Sequence, residues 1–225
     1  VAAEDKHRVI EAARAISVAP GREVLHVLPQ QYYIDGQAGI RDPVGIAGVR
    51  LEVDVHLVTG SATAVQNIRH SIVRAGCQVQ ELVLEPLAAS WAVLSEDERE
   101  MGVCLVDIGG DTTNVVLYSD SCVHHTSVIG LGGQNATNDL AMGLRTSSPL
   151  AEQLKREAGA ALASQVGADE VVEVPGIAGR APKPVPRQQI ASIIGARMEE
   201  IFGLVQANLQ ASGVTQPPAA GVVLT

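Results

Sequence analysis

Residues 49–57 alternate strictly between apolar and polar. Val49, Leu51, Val53, Val55 and Leu57 lie on one side, and Arg50, Glu52, Asp54 and His56 on the other. A period of two predicts a half-buried strand with one wet face. Upstream, Val9, Ile10, Ala13 and Ile16 recur at helical spacing across Glu4–Ser17, and Pro20-Gly21 ends that helix. The run EVLHVLPQQYYIDG reads as two short strands broken at Pro29. Ser61 is placed to cap a helix carrying Val65, Ile68, Ile72 and Val73, closed by Gly76. A strand over Gln78–Leu84 follows, then a helix opening at Pro86, where the missing N–H is no loss. The stretch SEDERE reads as a charged surface loop.

Three strand-like runs come next, Val103–Ile108, Thr113–Tyr118 and Cys122–Ile129, ending in GLGGQNATNDLAMGLR, a glycine turn entering a helix. Helical spacing returns over Leu150–Leu162 and over Arg187–Leu209, where Ile190, Ile194, Met198, Ile201 and Val205 form the apolar stripe. The Pro/Gly-rich VPGIAGRAPKPVP reads as an irregular loop, and the apolar AAGVVLT as a strand with nothing after it. No solenoid period appears. Alternating strands and helices around a three-strand meander predict an α/β protein with a mixed sheet.

Composition narrows the classes. The 225-residue chain is 46% hydrophobic and only 2% aromatic, so its core is built from Val, Ile, Leu and Ala. A net charge of −9 argues against nucleic acid as the main partner, because neutralising phosphates needs a basic face. The three cysteines Cys77, Cys104 and Cys122 are scattered without metal or redox spacing and read as reduced thiols. No long apolar span is present to cross a membrane.

The candidate chemistry sits in CLVDIGGDTTNVVLYSD. Asp107 ends an otherwise apolar strand where it meets Gly109 and Gly110. Glycines of positive φ would let amides converge on an anion, with Thr112 and Thr113 adding hydroxyl donors. A carboxylate beside an anion nest calls for a divalent cation between them, so Asp107 reads as a magnesium partner, through water. From Met101 to Leu144 there are four aspartates and neither lysine nor arginine, so a phosphate bound there needs a metal for neutralisation. A plain hairpin with a polar tip accounts for this stretch equally well. Glu85, at a strand-to-helix junction, is placed to reach a metal-bound water. Gly132 and Gly133 repeat the glycine–helix arrangement as a second nest. Glu152 and Lys155 share a helix face, either as a clasp for a ribose or as an ordinary surface pair. Between Glu173 and Glu199 the charge reverses, with Arg180, Lys183, Arg187 and Arg197 and no acid, which reads either as a solvated loop or as a basic face.

Taken in order, these stretches resemble the actin, hexokinase and heat-shock chaperone ATPase superfamily, and within it the FtsA family of bacterial cell-division proteins. Those that carry the resemblance are VLHVLPQQYYIDGQAGIRDPVGIAGVRLEVDVHLVTG, LVLEPLAASWAVLSEDERE, GVCLVDIGGDTTNVVLYSD, GGQNATNDLAMGLRT and AAGVVLT. The resemblance implies an actin-like ATPase (ribonuclease H-like) fold, mixed sheets flanked by helices, with part of the family's inserted subdomain over 1–58. Residues 59–97 would end the first lobe, 98–147 form the second-lobe core, 148–203 its outer subdomain, and 204–225 return to that core.

By the same resemblance, Asp107, Gly109, Gly110 and Thr112 fall on the second phosphate motif, Gly132 and Gly133 on the next phosphate-side turn, Glu152 and Lys155 on the adenosine side, and Glu85 on the connecting helix. ATP and Mg2+ are the implied ligands, with slow hydrolysis at most. Two departures stand out: Asp111 replaces the motif's third glycine, and Asn114 stands where an aspartate is common. The implied role is a polymerising scaffold at the division septum, on the cytoplasmic side of the membrane, recruiting later division proteins. The basic residues 180–197 would receive the acidic and apolar tail of FtsZ. The resemblance also implies a piece of a longer protein, without the first phosphate loop, the glycine pair expected beyond Thr225 and the membrane-targeting C-terminal helix. A sugar-kinase-like phosphotransferase needs a catalytic base that these residues do not supply. A chaperone-type ATPase lacks the insert around Gln30–Arg50.

Overall fold

The computed structural model describes residues 1–175, 181–213 and 217–225. The chain forms two compact units, Val1–Leu105 with Val116–Thr126 and Pro217–Val223, and Val106–Val115 with Ser127–Gln216 and Leu224–Thr225.

The first unit opens with α1 (Ala3–Arg14), then β1 (Arg22–Ile34), β2 (Gln37–Ile40) and β3 (Leu51–Ser61) in a three-stranded antiparallel sheet of order β2-β1-β3. β1 is one strand of 13 residues rather than two. Pro29 sits at a register shift between Pro29 and Gln31, where a bulge removes the need for its missing donor, so the strand passes through. β3 begins two residues later than the alternation suggests, and Val49 lies outside it, 99% exposed. Asp35 accepts the Val49 and Arg50 amides and takes residue 49 into a turn.

Ser61 caps α2 (Ala62–Arg74) by accepting the Ala64 amide, and Gly76 follows with φ +84°. Residues 77–84 do not form a strand, since no described strand pairs with them. The Leu84 amide donates instead to His26 Nε2 at 3.0 Å, next to α3 (Glu85–Val93). SEDERE is not a loop: Ser95 and Glu98 form a capping box that starts α4 (Glu96–Met101). Arg99 turns back from that helix, buried, with its guanidinium 4.1 Å from the Trp91 ring centre.

β4 (Val103–Ile108), β5 (Thr113–Ser119) and β6 (Cys122–Ile129) form the meander that the apolar runs imply. In the first unit Leu87, Leu94, Val103, Leu105, Val116 and Tyr118 make an apolar core. Burial pushes the Cys104 thiol up to about 11, consistent with an inert core residue.

In the second unit, α5 (Gly133–Leu144) and α6 (Ser148–Ala158) precede a hairpin of β7 (Val171–Val174) and β8 (Lys183–Pro186), then α7 (Arg187–Ala211). The segment expected as a loop is thus a strand at each end, with Val174 opposite Lys183, while residues 176–180 lie outside the described ones. Ile190 and Ile194 of the expected α7 stripe pack with Leu140, Leu144 and Leu154, with Met198 against them. Each such full burial contributes roughly 1.5–3 kcal/mol. β9 (Val222–Leu224) completes the second sheet, order β6-β5-β4-β9.

Burial lowers the pKa values of His26, His56 and His125, all in the first unit, below the ordinary 6.5. His26 Nε2 accepts an amide proton, so that nitrogen must be bare in the folded chain. Below about pH 6.5 the unfolded chain therefore binds more protons than the folded one, and stability falls with acid until the folded values are passed. Chemical unfolding followed from neutral to acid pH should show this decline, with no contribution from these groups above neutrality. A first unit that gains stability on acidification through 6.5 would contradict it.

Candidate nucleotide site

The site lies in the second unit and is built of main chain. β4 runs out of the core through half-buried Asp107, and the chain then turns at exposed Gly110 and Asp111 into β5. The Gly109 amide donates to the Thr112 carbonyl at 2.9 Å and closes the turn. Neither glycine has positive φ, contrary to the expectation from sequence. Their use is proximity. A β-carbon on buried Gly132 would stand 2.5 Å from the Gly109 oxygen and 2.6 Å from the Gly110 oxygen. The two glycine turns touch through bare backbone.

This contact also alters the reading of the second nest. The Gly133 and Gln134 amides, at the start of α5, already donate to the Gly109 and Gly110 carbonyls at 2.9 and 2.7 Å. The Gly132 amide donates to Asn135 Oδ1 at 2.9 Å. The helix terminus is spent on holding the first turn. Among the described residues, the amides of Gly110, Asp111 and Thr112 meet no acceptor. A β-carbon on Gly110 would meet nothing within 4 Å, so the turn opens on free space.

Asp107 makes no ion pair or side-chain hydrogen bond among the described residues. The same residues contain no cluster of three His, Cys, Asp or Glu that would cage a metal. These residues fit a hydrated magnesium ion arriving with a polyphosphate: the Asp107 carboxylate and free amides, with the nearby Lys155 ammonium already bonded to Gly133, Thr137 and Glu152. Thr113 is fully buried and its hydroxyl donates to the Leu131 carbonyl at 2.8 Å, fixing the approach to α5. The Thr112 hydroxyl has no such tie. Exposed Glu85 opens α3 in the first unit.

Glu152 and Lys155 of α6 face α5. Lys155 Nζ lies 2.6 Å from Glu152 Oε2 and donates to the Gly133 carbonyl at 3.0 Å and to Thr137 Oγ1 at 2.9 Å. Hydrogen bonds from Lys155, then Thr137, hold the Glu152 carboxyl below its usual range. Thr137 and Asn135 join the candidate site through these bonds, and the sequence alone did not single them out. Their signal lay in GGQNATND, with an amide at the third helical position and a hydroxyl four residues after Gly133.

The basic residues separate. Arg180 lies outside the described residues. Lys183 donates to the Leu144 carbonyl at 2.7 Å, and Arg187 to the Ala158 carbonyl at 2.9 Å and Glu170 at 2.5 Å. Arg197 grips Asp139 at 2.7 and 3.0 Å and also pairs with Glu200. Arg197, Asp139 and Glu200, but neither Lys183 nor Arg187, line a groove of about 550 Å³ between α5 and α7, with Gly143, Ile193 and Ala196 among its walls.

Residues 104–222, more than half of the chain, match the family described as Cell division protein FtsA, and residues 1–59 match the SHS2 domain inserted in FtsA. The chain belongs to the FtsA family. It is 45% identical to FtsA of Pseudomonas aeruginosa, over 98% of this chain and 53% of that protein. To FtsA of Escherichia coli K12 it is 43% identical, over 100% of this chain and 55% of that one. For FtsA of Bacillus subtilis the figures are 41%, 99% and 50%. The chain thus spans about half the length of these FtsA relatives. Among solved structures, the PilM–PilN type IV pilus biogenesis complex is similar with TM-score 0.62 and 16% identity, over 98% of this chain and 55% of that one. MreB5 of Spiroplasma citri bound to AMPPNP gives TM-score 0.58 and 18% identity, over 72% and 50%. The fold is that of the actin-like ATPases. No described helix is long and apolar enough to cross a membrane.

Proposed function

We propose that the chain is the nucleotide-dependent part of a cell-division scaffold that binds magnesium-ATP, polymerises as actin does, and ties the FtsZ ring to the cytoplasmic side of the membrane at the septum. One observation carries this: among the described residues, three unengaged amides at 110–112 and an unpaired carboxylate at 107 surround a turn open to solvent. Family membership and the nucleotide bound to the similar MreB5 support it.

The amides of 110–112 receive phosphate oxygens, Asp107 holds magnesium through water, and Glu152 takes the nucleoside side. When bound, magnesium would supply neutralisation of phosphate charge beside a turn, residues 107–112, that carries no lysine or arginine. Asp111 adds a negative charge beside that phosphate and slows turnover, so ATP acts chiefly as a ligand that favours one arrangement of the protein. Glu85 is proposed to position the attacking water. The boundaries proposed for the lobes are residues 58, 97, 147 and 203. Membrane attachment is proposed through a C-terminal helix outside these residues, recruitment of later division proteins through the inserted subdomain, and FtsZ-tail binding through the Arg197 groove.

Titration of full-length protein with fluorescent ATP, with and without magnesium, tests the core of this. Affinity should rise at least tenfold with the metal, and Asp107→Asn should remove that dependence while leaving the fold intact, since the carboxylate has no partner to lose among the described residues. Equal affinity with and without magnesium in the wild type would overturn the metal's role.

A further inference from the structure

The ammonium of Lys155 carries three protons, and the fold uses all of them. They reach the Gly133 carbonyl at 3.0 Å, Thr137 Oγ1 at 2.9 Å and Glu152 Oε2 at 2.6 Å. Lys155 cannot donate to a ligand without surrendering one of these bonds. Glu152 is differently placed. Its Oε2 is held by Lys155 and by the Thr137 hydroxyl at 2.5 Å, whereas Oε1 faces only the Arg156 Nε at 3.6 Å among the described residues. The carboxylate is clamped at one oxygen and open at the other.

Thr137 is the hub of this clamp. It is 1% exposed, and its hydroxyl lies within hydrogen-bonding distance of Gly133 O, Glu152 Oε2 and Lys155 Nζ. Gly133 in turn donates its amide to the Gly109 carbonyl of the first glycine turn. A continuous path therefore runs from that turn, through Gly133 and Thr137, to Glu152 on α6. Apolar packing sets the two helices side by side, through Leu140, Leu144, Ala151 and Leu154, but fixes no rotamer of Glu152. The Thr137 and Lys155 bonds do.

We propose that Thr137 is a positioning residue, which with Lys155 as its bracket holds Glu152 so that Oε1 alone is presented to a hydroxyl of the bound nucleotide. This rests on the nucleotide reading above and refines it. A valine at 137 keeps the buried shape and removes both the donor and the acceptor, freeing Glu152 to swing. A serine keeps the hydroxyl.

The test compares ATP with 2′,3′-dideoxy-ATP on full-length protein, in the presence of magnesium. The wild type should prefer ATP by roughly ten- to a hundredfold, the contribution of a hydrogen bond to a charged acceptor. Thr137→Val should lose most of that preference by weakening ATP alone, and Thr137→Ser should retain it. Damage to the fold lowers the competent fraction and weakens both ligands by one factor, so the ratio separates positioning from stability. A Thr137→Val protein that keeps the wild-type preference, or one that weakens both ligands equally, overturns the proposal. Wild-type protein that binds ATP but does not discriminate overturns it while leaving nucleotide binding in place. Failure to bind ATP at all overturns the functional reading and this inference together.

Discussion

Replacing Gly132 by alanine is expected to destabilise the second unit by about 1–3 kcal/mol, the usual cost of forcing atoms into a packed site, and to abolish magnesium-dependent ATP binding. The new β-carbon would meet two carbonyl oxygens, of Gly109 and Gly110, at 2.5 and 2.6 Å. Neither is the end of a flexible side chain, so relief requires the two turns to move apart. That motion breaks the bonds from the Gly133 and Gln134 amides, at 2.9 and 2.7 Å, which shape the first turn. Gly110→Ala is the matching control. Its β-carbon would enter open space on a backbone of ordinary φ, so stability should stay within about 0.5 kcal/mol of the parent. ATP affinity should nevertheless fall, because that β-carbon projects where the phosphate would rest. Thermal unfolding and ATP titration of the two variants would check the contrast. Equal stability in both would show that the turns are not held together as described.

Much of this architecture was legible because local signals agreed with one another. The apolar runs at 103–108 and 122–129 became strands with those limits, and Ser61 and Gly76 bound α2 at both ends. The α7 stripe was legible for the same reason: Ile190, Ile194, Ile201 and Val205 are all buried. The failures are of three physical kinds. Pro29 was read as a break because a bulge, a property of two strands, cannot be seen in one. The charge of SEDERE suggests a loop, but Ser95 and Glu98 stand at capping-box spacing, and the local cap outweighs the composition. Residues 77–84 have strand composition, but composition does not create a pairing partner.

The candidate site was legible as a corner, not as a geometry. Asp107 at a strand end and the glycines beside it mark the place where two glycine turns meet, but proximity rather than positive φ uses those glycines. Which amides are free and which are spent could not be read at all, because it depends on contact between segments some twenty residues apart. The same holds for Thr137, whose importance lies in three partners on two helices.

Charge reversal at Arg197 is expected to abolish binding of the FtsZ tail to full-length protein, whereas Lys183→Glu should act through local stability alone. Lys183 neutralises the C-terminal carbonyl of Leu144 on α5, an internal task. Arg197 lines the groove, but Asp139 and Glu200 already occupy its guanidinium. An acidic tail must compete with them. Glu200→Gln removes one competitor, keeps the two bonds to Asp139, and should strengthen tail binding severalfold. Arg197→Glu sets three carboxylates together and would lower stability as well as affinity, so by itself it cannot distinguish recognition from unfolding. The exchange Asp139→Arg with Arg197→Asp restores an ion pair while inverting its polarity across the groove. If Arg197 merely joins α5 to α7, the exchange recovers binding along with stability. If the tail reads the positive charge where α7 presents it, stability returns and binding does not. Tail titration by fluorescence polarisation, with thermal unfolding on the same samples, decides between them. Unchanged affinity in Glu200→Gln, together with full recovery in the exchange, would overturn the proposal that this groove receives the FtsZ tail.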